Sequence, residues 1–170
     1  MRLAVLFFIV SGVLIAGCQH TKEGTFAIDQ ISISDEGLTN GQNYYVVAPL
    51  QWDGPARAEL TNIGIVNEAG EPINASEGIE ASFYVGADTK QTGVFRREEI
   101  GEKQQVEGYE LTEEQTLIMQ VKVTNTTEGE NRKLSLTYSS GGEEYEKLLE
   151  WEPISDLNSS AMMNSLPPST

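Results

Sequence analysis

Three runs between Leu117 and Trp151 place their apolar residues at every second position, and this period of two constrains the fold more than any other feature. Leu117, Met119, Val121 and Val123 share one parity, while Gln120, Lys122 and Thr124 share the other. Leu134, Leu136 and Tyr138 repeat the pattern, and so do Tyr145, Lys147, Leu149 and Trp151. A helix needs a repeat near 3.6, so these segments are predicted to be strands with one buried face. Ser139-Ser140-Gly141-Gly142 joins the last two runs and has the length and glycine content of a hairpin connection.

The rest of the chain reads the same way. Ile79, Ala81, Phe83 and Val85 alternate with Glu80, Ser82 and Tyr84, and Leu60, Ile63 and Ile65 mark a further strand. Tyr44 to Ala48 is a short run expected to end at Pro49, since proline cannot donate to a ladder. Phe26 and Ile28 have one parity and Ile31 and Ile33 the other, as a bulge near Asp29 would produce. The spacing Thr112-Glu113-Glu114-Gln115 predicts one helical turn with reciprocal capping. About eight short strands separated by turn signals point to an all-β fold. An antiparallel β-sandwich is expected, with a small antiparallel barrel as the alternative. The body is similar to immunoglobulin-like domains in architecture only, because the Cys…Trp…Cys pattern is missing.

The start of the chain is of another kind. Met1-Arg2 is followed by the apolar run Leu3 to Leu14 and then by Ile15-Ala16-Gly17-Cys18, which is the charged, apolar, small-residue order of a secretory signal. That run is shorter than the ~20 residues needed to span a bilayer. The ending Leu14-Ile15-Ala16-Gly17-Cys18 resembles the lipobox of bacterial lipoproteins. The resemblance implies cleavage before Cys18 and lipidation of its thiol, which holds the chain on a membrane because each buried methylene contributes ~0.8 kcal/mol. The expected layout is a signal peptide at 1–17, a lipidated tether at 18–24, a β-sandwich at 25–153 and a disordered tail at 154–170. Removing residues 1–17 from the 170 leaves 153, enough for one core.

Composition narrows the function. Twenty-six acids face eleven Lys and Arg, a formal charge of −15, which repels phosphate backbones and argues against nucleic acid as a partner. The only histidine, His20, lies in the tether, where it cannot be built rigidly beside a nucleophile. With Cys18 the sole cysteine and no second histidine, no metal site of the usual kinds and no cofactor is expected. The glutamate pairs Glu98-Glu99, Glu113-Glu114 and Glu143-Glu144 point to opposite faces of any strand, so none is an acid–base couple by itself. No catalytic residues are therefore assigned, and the chain is read as a non-enzyme.

Two features suit a binding face. Tyr44 and Tyr45, followed by "APLQWDGPAR" with Trp52 in it, place three large aromatics near a Pro/Gly-rich loop, where exposed aromatics would anchor a partner; the alternative is that Trp52 and one tyrosine plug the end of the sandwich. Arg96-Arg97 is a basic spot in an acidic chain. The expected function is a membrane-anchored extracytoplasmic lipoprotein acting as a protein-interaction module at the cell envelope. The alternative is a receptor domain for a small molecule, ion or glycan.

Overall fold

The computed structural model of the protein describes residues 23–33, 38–86, 91–96, 100–124, 126 and 131–160. Two antiparallel sheets pack face to face as a β-sandwich and do not close into a barrel. The six-stranded sheet runs in the order β1 (Thr25–Ile28), β3 (Asn43–Asp53), β9 (Glu114–Val123), β5 (Ile79–Gly86) and β7 (Gln104–Gln105), with β6 (Gly93–Phe95) also on β3. The four-stranded sheet runs β11 (Glu143–Leu149), β10 (Lys133–Ser140), β4 (Glu59–Val66) and β8 (Tyr109–Glu110). A parallel pair, β2 (Leu38–Thr39) and β12 (Ser159–Ser160), and a one-turn helix α1 (Glu152–Ser155) complete it. Taken in chain order, the seven long strands follow the A-B-E-D and C-F-G arrangement of the seven-stranded immunoglobulin-type sandwich.

Alternation sets the core. Tyr44, Val46, Ala48, Leu50 and Trp52 of β3 and Leu117, Met119, Val121 and Val123 of β9 meet Leu60, Ile63, Ile65, Leu134, Leu136 and Tyr138 of the facing sheet. Each such side chain contributes about 1.5–3 kcal/mol on burial. Leu60 and Ile63 both face inward although three residues apart, because the β4–β10 register slips by one residue and Thr61 is the extra one. The β10–β11 hairpin turns through Gly141 (φ 62°) and Gly142 (φ 86°), the two left-handed positions of a type I′ turn.

Five expectations are corrected. Pro49 does not end its strand, since β3 continues to Asp53. The Pro49 carbonyl accepts from the Asp29 N–H at 3.2 Å, so the proline nitrogen faces the side where β1 has just run out and no ladder bond is lost. The parity change after Ile28 marks the end of β1 rather than a bulge within it.

Thr112 to Gln115 is not a helical turn. The Gln115 carboxamide oxygen does accept from the Thr112 N–H at 2.9 Å, but Glu114 and Gln115 already belong to β9. The reciprocal cap forms instead at Asn74 and Glu77, around the 3₁₀ turn Ala75–Glu77.

Residues 154–160 were expected in the tail and are instead packed. Ile154 and Leu157 are fully buried, and the Arg132 guanidinium donates to the Leu157 carbonyl at 2.7 Å. The tether also stops short of its expected end: Gly24 is buried, its N–H donates to the Tyr138 hydroxyl at 3.1 Å, and Glu23 pairs with Lys147 at 2.6 Å.

The segment joining β5 to β8 is a strap. It contributes β6 to one edge of the six-stranded sheet and β7 to the other, and lays Ile100 over the outer face. That creates a second, small core of Tyr45, Val47, Ile100 and Ile118, with Tyr84 and Phe95 packed against it.

Candidate functional site

The predicted aromatic face does not assemble. Tyr44, Tyr45 and Trp52 are only 5%, 2% and 6% exposed, so none offers area to a partner. As strand neighbours, Tyr44 and Tyr45 point to opposite faces of β3, one into the main core and the other under the strap. Trp52 meets Phe26 in a tilted contact at 4.6 Å and Tyr138 edge to face at 4.8 Å between ring centroids, and its indole N–H donates to the Pro55 carbonyl at 3.4 Å. These three residues close the sandwich at the end where the chain enters it.

Two cations cover three tyrosines. The Arg96 guanidinium sits 5.5 Å from the centre of the Tyr44 ring, and the Lys103 ammonium lies 5.2 Å and 5.0 Å from the rings of Tyr45 and Tyr84. Burial alone would raise the Tyr44 pKa; hydrogen bonds from Thr39, including its backbone N–H at 3.0 Å, and the Arg96 charge outweigh it and hold the phenol below its ordinary value. Burial raises the Tyr109 phenol. Arg96 thus serves the fold, while Arg97, Glu98 and Glu99 lie outside the described residues, as do Cys18 and His20.

Among the described residues no group of three or more His, Cys, Asp or Glu side chains could hold a metal ion. The described glutamate pairs Glu113-Glu114 and Glu143-Glu144 are exposed. The main-core strands fill the space between the sheets with side chains, and the grooves lie at the surface.

The best-formed candidate is a side of the sandwich that sequence reasoning missed. Hydrogen bonding to β9 uses alternate residues of β5, beginning with the Gly78 carbonyl, which accepts from the Thr124 N–H at 2.7 Å. Ile79, Ala81, Phe83 and Val85 therefore direct their backbone groups to the other side. There β7 covers only Tyr84 and Val85, and no described strand pairs with residues 79–83.

Facing it, β8 covers only Glu59 and Leu60 of β4; the Ile65 carbonyl accepts from the Ile73 N–H at 2.8 Å, and Ile63 between them is left open. Among the described residues, both sheets thus leave backbone unpaired by any strand along the same flank.

Two grooves border this flank. Between the sheets, a groove of about 440 Å³ is lined by Ile63, Ile65, Ile73, Ala81, Phe83 and Val106, with Thr61 and Asn62 at its wall and Glu107 its one charged lining residue. On the outer face, a groove of about 340 Å³ is lined by Asn43, Asn74, Glu80, Ser82, Gln120 and Lys122. The Thr61 hydroxyl oxygen is buried without a hydrogen-bond partner.

The signal was present but weak. From Leu60 to Val66 (LTNIGIV) β4 carries no charge, whereas the edge strand β11 reads EEYEKLL. Natural sheets blunt exposed edges with charges, so β11 is heavily guarded, whereas β4 has none between Leu60 and Val66 and β5 carries only Glu80.

No protein-family model matches the chain, and no curated protein matches it either. The function has to be read from the molecule itself.

Proposed function

We propose that the protein is a lipoprotein, held by lipid on Cys18 to the extracytoplasmic face of a cell membrane, whose β-sandwich binds another protein at the envelope without catalysing a reaction. The observation that carries the binding part is the flank of β4 and β5, where no described strand pairs with residues 79–83 and the groove is open to the surface rather than enclosed. The anchoring part rests on the lipobox resemblance around Cys18. It agrees with the position of Gly24, which enters the sandwich at one end beside Tyr138 and leaves five residues, 19–23, between it and Cys18.

The test is crosslinking in living cells that express the full chain, with a Cys18→Ala control and metabolic labelling by a palmitate analogue. Label on the wild-type chain only, with a co-purifying envelope protein near equal stoichiometry, supports the reading. Absence of label removes the anchor. Labelled chain without a partner, together with a ligand-dependent rise in melting temperature, moves the function to a small-molecule receptor.

A further inference from the structure

We propose that the open flank binds one extended segment of a partner protein as an added strand beside β5, and that this segment alternates apolar and basic residues. The inference rests on the protein-interaction reading above and names its surface. A strand pairs through its backbone and sends successive side chains to opposite faces. The free edge of β5 is bordered by grooves on both faces, and Ala81 and Ser82 line both of them. An added strand therefore has a slot for each parity.

The inner slot is mixed: Ile63, Ile65, Ile73, Ala81, Phe83 and Val106 form an apolar floor that accepts side chains such as valine or leucine, and Thr61, Asn62, Ser82, Gln105 and Glu107 form its polar rim. The outer slot is polar and holds Glu80, already paired with Lys122 at 3.3 Å. Ala81 directs its N–H and C=O outward for the ladder, and Ile63 lines the same inner groove.

Charge decides the occupant. At −15 the chain repels a second copy of itself and attracts a cationic segment.

The test uses the full lipidated chain in detergent micelles and a synthetic peptide, Lys-Val-Lys-Val-Lys-Val-Lys, read by hydrogen exchange and mass spectrometry. At ten times its Kd the peptide should slow exchange about tenfold in fragments covering 79–86 and more weakly in 59–66, with 143–149 unchanged. The same peptide with glutamate in place of lysine should protect neither, and one with a central proline, which lacks a donor, should bind more weakly. Glu80→Lys, a surface change that leaves the ladder intact, should weaken the lysine peptide severalfold. Ala81→Pro, which removes one outward N–H, should do the same.

Three results would overturn the proposal: no protection by the lysine peptide, equal protection by both peptides, or concentration-dependent protection of 79–86 with no peptide present. If crosslinking still finds an envelope partner while the peptide protects nothing, the interaction reading stands and this surface falls. If crosslinking finds none, the interaction reading falls with it.

Discussion

The hydroxyl of Tyr138, on β10 of the four-stranded sheet, accepts a hydrogen bond from the Gly24 N–H at 3.1 Å and lies 3.5 Å from the Gly24 carbonyl oxygen. One side chain thereby joins the two sheets at the point where the chain enters the sandwich. A Cβ on Gly24 would collide with the indole ring of Trp52, so the entry point admits only glycine. Tyr138→Phe is expected to cost about 1–3 kcal/mol, since it leaves a buried N–H without an acceptor. Gly24→Ala should cost a similar amount through overpacking. Urea unfolding measures both, and a Gly24→Ala, Trp52→Leu double variant should lose less than the sum of its parts.

Alanine at Tyr44, Tyr45 or Trp52 is expected to damage the fold rather than an exposed binding face. Trp52→Ala should cost about 3–5 kcal/mol, because Phe26 and Tyr138 lose their shared partner. Tyr45→Ala should act through the small core under the strap, opening Ile100 and Phe95 before the main core loosens. Denaturant curves and near-ultraviolet circular dichroism decide this; a folded Trp52→Ala variant of unchanged stability would count against the burial described.

The packed segment after Trp151 makes a separate prediction. Ile154→Ala and Leu157→Ala should each cost about 2–5 kcal/mol, as expected of fully buried aliphatic side chains. Ending the chain after Pro153 should cost more than either, because the Arg132 guanidinium also loses the Leu157 carbonyl at 2.7 Å. Thermal unfolding of the three variants gives the ranking.

Alkaline pH tests the surroundings of Tyr44. Its folded pKa is lowered, so between that value and the unfolded value of about 10 the folded state holds fewer protons than the unfolded one. The Tyr44 contribution to stability therefore grows with rising pH across that window and is absent below it. Tyr109, whose pKa is raised by burial, acts in the opposite sense: its contribution is complete below about 10 and is lost as pH rises through the folded value. Tyr44→Phe should steepen the alkaline loss of stability measured by denaturant titration from about pH 9 to 11. Arg96→Gln should move the Tyr44 transition upward in an absorbance titration without altering that of Tyr109.

The alternation of apolar and polar residues was enough to fix the class of the fold. A period of two turns every second side chain to one side, and runs such as Leu117 to Val123 can bury that side only by pairing sheet against sheet. The hairpin at Gly141-Gly142 was legible for an equally local reason, since both positions need φ above zero.

What depended on distant residues was not legible. Pro49 reads as a strand end, and only the neighbour β1, stopping beside it, makes it harmless. Tyr45 reads as exposed, and only the strap carrying Ile100, more than fifty residues later in the chain, covers it. Ile154 and Leu157 sit in a polar stretch too short to show periodicity, and Arg132 holds them. The open flank was invisible for the same cause. Whether the backbone of Ala81 and Phe83 is paired is settled by which strands arrive beside β5, and a strand's own residues carry no record of a neighbour that does not come.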